Sequence, residues 1–121
     1  MDRRKALGAS GEEAACRLLR RSGYRILERN HRNRWGELDA VAWEGGELVF
    51  VEVRARSSAE FGTGAESVGT AKRQQLIRMA RIYLQEQDVG EPPCRFDVVE
   101  MEALPAGGWK GQVIRGAFGV E

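Results

Sequence analysis

The stretch Gly36 to Arg56, GELDAVAWEGGELVFVEVRAR, constrains this chain more than any other. Two runs of strand-forming residues flank Gly45 and Gly46, which supply the positive φ angles of a tight hairpin turn. With those glycines as the loop, cross-strand partners have residue numbers summing to 91. Glu44 then faces Glu47, Trp43 faces Leu48, Val41 faces Phe50, Asp39 faces Glu52 and Glu37 faces Arg54. Residues two apart share a face. One face therefore carries Asp39, Glu52 and Arg54, beyond a patch of Val41, Trp43, Leu48 and Phe50. The other is wholly apolar: Leu38, Ala40, Ala42, Val49, Val51 and Val53.

With apolar residues on both faces, the hairpin is expected to be covered on both sides. Like charges opposed in a sheet cost up to about 1 kcal/mol, and partial burial raises that cost. Two carboxylates at one level invite a hard, oxygen-seeking cation such as Mg²⁺. The alternative is structural: Glu52 pairs with Arg54 or Arg56, and Asp39 caps a strand end. Spacing alone leaves both open, and a bulge in either strand would break the register.

The 121 residues suit one domain with a modest core, 42% apolar and 31% charged. No apolar run approaches the roughly 18 residues that span a bilayer. The N-terminus, MDRRKALGAS, has basic residues without an apolar stretch behind them, so it does not read as a secretory signal. Cys16 and Cys94 are too few and too far apart for a disulfide framework or a zinc site. His31 is the only histidine, which argues against His-based catalysis and most transition-metal sites. A cytoplasmic location is the default, with no membrane association. The net charge of +1 hides an asymmetry: residues 1–34 hold 10 Lys and Arg against 4 Asp and Glu, and residues 35–121 hold 9 against 14. A basic N-terminal third can meet phosphates or be simply a solvated surface.

Residues 1–9 are read as a frayed start. Ser10 then opens a helix, with Ser10 and Glu13 as a capping box and Gly23 as the stop. Its buried stripe is Ala15, Leu18, Leu19 and Ser22, with Glu12 beside it, aimed inward. That carboxylate can equally serve the helix dipole alone. Tyr24–Arg32 is a first strand. After the central hairpin comes a Gly/Ser/Thr-rich loop over 57–70, long enough to be functional, with Phe61-Gly62 as an anchor. Thr70 caps a second helix to Gln87, with Leu76, Ile77, Ala80, Tyr83 and Leu84 inward and Met79 at the edge. Lys72 borders that stripe, close enough to reach the strand carboxylates or to snorkel to solvent. Arg95–Met101 is a fourth strand and Trp109–Phe118 an edge strand.

The order helix, three strands, helix, strand, with Asp then Glu-x-basic on a hairpin, resembles the restriction-endonuclease-like, or PD-(D/E)XK, nuclease superfamily. The longer set GEEAA at 11–15, RN at 29–30, GELD at 36–39, FVEVRAR at 50–56, FG at 61–62, Lys72 and RFDVV at 95–99 resembles the YraN-like family of bacterial proteins. Its members resemble archaeal Holliday-junction resolvases, which act as dimers. The resemblance implies an α/β fold, a three-layer αβββαβ core with a mixed central sheet. It implies that Asp39, Glu52 and the backbone carbonyl of Val53 hold Mg²⁺ or Mn²⁺, and that Glu12 is the helix-borne acidic residue. Arg54 stands where the superfamily prefers lysine. An arginine stays protonated and cannot act as a general base, but can grip a phosphate oxygen. Lys72 is the candidate replacement ammonium.

Three readings follow: a metal-dependent nuclease acting on DNA, branched or otherwise structured; a nucleic-acid-binding module with weak or no turnover; and a protein-interaction domain on a retired nuclease fold. The unfavourable acidic pair favours the first, and Arg54 the second. A homodimer is an open possibility.

Overall fold

Positive φ angles of 62° at Gly45 and 81° at Gly46 close the central hairpin, with Glu44 opposite Glu47 as the number sum requires. The computed structural model describes residues 7–56 and 68–119. Helix α1 (Gly8–Arg21) is followed by strands β1 (Arg25–Asn33), β2 (Gly36–Glu44) and β3 (Glu47–Ala55), helix α2 (Thr70–Gln87), and strands β4 (Cys94–Ala103) and β5 (Trp109–Phe118). The sheet order is β1-β2-β3-β4-β5. Only β3 and β4 run parallel, as a strand–helix–strand crossover requires. This is the expected αβββαβ order around a mixed sheet, with β5 appended. No helix among the described residues is long and apolar enough to cross a membrane.

Each sheet face carries its own core. On the α1 side, Ala15 and Leu19 pack on Ala40, Ala42, Val49, Val51, Val53 and Val99. On the α2 side, Leu76, Ile77, Met79 and Ala80 pack on Val41, Leu48, Phe50, Phe96 and Val98. Burial on both faces explains why β3 reads as a nearly unbroken apolar run.

Several expectations are corrected. Helix α1 begins at Gly8, so Ser10 lies inside it. No side chain caps the helix, and the Ser10 hydroxyl instead accepts the Trp109 indole N–H at 2.9 Å. Gly69, not Thr70, is the N-cap of α2. Met79 is fully buried rather than at the edge. Leu38 joins the α2-side core, not the face of Ala40 and Ala42. The regular β2–β3 ladder stops at Ala40–Val51, one pair short of Asp39 and Glu52. Most of the 57–70 loop, with Phe61-Gly62, lies outside the described residues. Its end is packed, since Val68 is buried against α2.

Candidate functional site

Where the ladder stops, β2 and β3 part, and Asp39 stands at the fork. Its carboxylate accepts the Val53 backbone N–H at 2.7 Å. A side chain thus takes over from a main-chain acceptor, which satisfies a buried amide that the parting strands would otherwise orphan. The side alternation is interrupted at the same point: Leu38 and Val41 face α2, while Ala40 faces α1. On the neighbouring strand, Asn30 sits between the Arg29–Ala40 and His31–Leu38 pairs with a φ of 53°. Asparagine is among the few non-glycine residues that enter this left-handed region readily.

The fork opens on its α1 side into a cavity of about 20 Å³, lined by Glu12, Cys16, Arg29, Asn30, Asp39 and Val53 among others. That is room for about one water or a small ion. Arg29 pairs with Glu13 at 3.1 Å, tying β1 to the first turns of α1. Glu12, the inward neighbour, has no hydrogen-bond or ion-pair partner among the described residues. Burial pushes the Cys16 thiol up, which disfavours its thiolate.

Glu52 and Arg54 alternate with Val51 and Val53, which belong to the α1-side core, so both project to the α2 side. There the Lys72 ammonium stands 3.7 Å from the Glu52 carboxylate. The lysine leans inward and reaches a strand carboxylate, as its place on the helix suggested. Arg56 lies 3.9 Å from Glu100, a buried carboxylate on β4 that sequence reasoning did not single out. Arg54 is opposite that same Glu100 in the parallel ladder. Among the described residues, then, Glu52 pairs with a lysine from α2, where the structural alternative paired it with Arg54 or Arg56.

Carboxylate-only donors suit a hard dication rather than zinc or copper. Their arrangement does not: among the described residues, no three His, Cys, Asp or Glu side chains gather closely enough to hold a metal ion. Asp39 serves Val53, Glu52 faces Lys72, and Glu12 meets only Asp39's side of the fork.

The profile of the Uncharacterised protein family UPF0102 matches residues 11–101. The chain belongs to the UPF0102 family. The YraN-like resemblance is therefore borne out, and the match runs from α1 to β4, across Glu12, Asp39, Glu52 and Lys72. UPF0102 proteins similar to it include one from Symbiobacterium thermophilum, 48% identical, covering 94% of this chain and 97% of its own length. Another, from Moorella thermoacetica, is 50% identical at 95% and 97% coverage. A third, from Pelotomaculum thermopropionicum, is 51% identical at 81% and 82%.

A second polar cluster, unforeseen, lies at the hairpin-turn end of the sheet. Arg95 binds Asp97 at 2.9 Å, Glu44 at 2.6 Å and Glu47 at 3.0 Å, and Tyr24 donates to Asp97 at 2.5 Å. The signal was present in RFDVV: an arginine and an aspartate two apart share a strand face.

Proposed function

We propose that this chain is a metal-dependent nuclease, hydrolysing phosphodiester bonds of DNA that is branched or otherwise structured, with Mg²⁺ or Mn²⁺ as the ion. The observation that carries this reading is the small cavity at the hairpin fork, into which Glu12 and Asp39 both open beside Val53. Glu52 follows on the adjoining strand position, and Arg54 beyond it suits a phosphate oxygen. In this reading Asp39, Glu52 and the Val53 carbonyl are the metal ligands, Glu12 assists through water, and Lys72 supplies an ammonium. The donors as arranged do not form a metal centre: Asp39 opens to the α1 side of the sheet and Glu52 to the α2 side, so the activity requires Glu52 both to part from Lys72 and to turn toward the Asp39 fork. A dimer would suit a substrate with two strands to cut, and sedimentation equilibrium reads it directly.

A cleavage panel of labelled linear, flapped and four-way DNA with Mg²⁺ or Mn²⁺ tests the proposal. Metal-dependent cleavage is expected, and Glu52→Ala is expected to lower it at least about 100-fold, the scale of a lost electrostatic stabiliser. No cleavage of any substrate, or cleavage indifferent to Glu52→Ala, overturns it.

The second reading, a nucleic-acid-binding module without turnover, is favoured by one observation: the Glu52–Lys72 pair neutralises a carboxylate that an ion would need. Calorimetric titration of Mn²⁺, with and without Asp39→Ala, separates the two. DNA binding that weakens with salt, without Asp39-dependent metal binding, leaves the module standing.

A further inference from the structure

Trp35, in the turn between β1 and β2, is a large ring held outward by a fixed backbone. It is 42% exposed. Its N–H donates to the Asn33 side chain at 2.8 Å, and its carbonyl accepts the Gln75 amide at 2.8 Å. Gly36 permits the second bond: with a φ of 148°, a Cβ there would stand 2.5 Å from the Gln75 nitrogen. The peptide is thus clamped on both sides while the indole is left to solvent.

Two guanidinium groups lie against that indole, Arg34 at 4.7 Å and Arg78 at 5.3 Å from the ring centre. Neither has an ion-pair partner among the described residues. An aromatic face flanked by unneutralised cations matches the chemistry of a nucleobase and its phosphate. A base stacked on the ring makes a stronger contact than an exposed cation over it, so a base displaces the guanidinium, which then meets the phosphate.

The platform is joined to the carboxylates by one row of α2. Lys72, Gln75 and Arg78 recur every three residues and so lie along one side of the helix. The first faces Glu52, the second holds the Trp35 carbonyl and the third lies on its ring. Six residues of helix span about 9 Å, close to two or three stacked nucleotides.

We infer that Trp35, with Arg34 and Arg78, is a stacking platform for an unpaired base, so that the nucleic acid this protein engages carries a single-stranded segment. The inference rests on the reading of the ligand as nucleic acid, but not on cleavage. The test is fluorescence anisotropy with a labelled oligothymidylate of about 15 nucleotides, beside a duplex of the same length, both in EDTA. Trp35→Ala is expected to weaken single-strand binding about 5- to 100-fold, the range of one lost base stack. Duplex binding should change less than about 2-fold, well inside that range. Trp35→Phe, which keeps a ring, should retain most of the single-strand affinity. If Trp35→Ala loses its circular dichroism, Arg78→Gln carries the test, with a several-fold loss on the single strand alone. No single-strand binding by the wild type, or equal losses on both ligands, overturns the platform. Metal-dependent cleavage with an indifferent Trp35→Ala sinks the platform and keeps the nuclease. Trp35-dependent binding without cleavage does the reverse.

Discussion

Asp97 is fully buried, yet every approach to it is a donor: the Tyr24 hydroxyl, two Arg95 nitrogens and the Gly116 amide. Removing one partner of a buried charge pair costs about 3–5 kcal/mol, because the other is left uncompensated. Asp97→Ala is therefore expected to destabilise the fold by that amount in urea unfolding. Tyr24 keeps its proton well above the usual tyrosine range, first through burial and then through its bond to Asp97. Burial raises Tyr83, the chain's other tyrosine, in the same direction. Both ionise near pH 10 once unfolded. Their raised folded values leave stability intact below about pH 10 and erode it as pH climbs further. Tyrosinate absorbance should then appear in one steep step together with loss of circular dichroism. A gradual rise in a still-folded chain would refute this.

Among the elements, the central hairpin was legible to the residue. Two glycines fixed its turn, and the pairs from Glu44–Glu47 to Ala40–Val51 follow from counting. Most inward positions of α2, Leu76, Ile77, Ala80 and Tyr83, were also plain because helical period reports burial, although Met79 is buried too rather than at the edge. The fork was not legible. It depends on a side chain of β2 replacing a main-chain acceptor for β3, and on the left-handed turn of Asn30 one strand away. Counting assumes a regular ladder, so it placed Asp39 and Glu52 face to face. The start of α1 was misread for a related reason: Ser10 has the chemistry of a cap, but Trp109, far along the chain, claims its hydroxyl. The β1–β2 turn makes a sharper prediction. Gly36→Ala combines a disfavoured φ with a clash at Gln75. It should cost roughly 1–3 kcal/mol, the scale of one strained backbone position, with a matching fall in melting temperature. Gln75→Ala in the same chain should relieve only the part owed to the clash, because the φ strain at position 36 stays.

Across the whole molecule, polar chemistry is divided between two ends of one sheet. At the hairpin-turn end, Arg95 draws together Glu44, Glu47, Asp97 and Tyr24. Its hydrogen bond is the first cause that holds the Glu44 carboxyl below its usual range. That contribution is present above about pH 4.3, where the unfolded glutamate ionises, and is lost as pH falls through the lower folded value. At the other end stand Asp39, Glu52 and Lys72. Arg95→Ala is accordingly expected to lower stability by about 3–5 kcal/mol while leaving the nucleic-acid affinity of the folded fraction unchanged. An equal loss at both ends would contradict the division.

The margins of the sheet have a consequence for crowded solutions. β1 is broken by a register shift between Ile26 and Glu28 and by the turn at Asn30, and it bears Arg25, Arg29 and Arg32. β5 meets β4 through a shift near Phe96 and Val98, and Gly116 bends it with a φ of 59°. Along β1 an incoming strand finds no long, flat, neutral border on which to zip. The β1 edge is thereby guarded against fibre-like stacking at high concentration. A second copy that extended the sheet would do so along the regular Trp109–Ile114 stretch of β5 rather than along β1.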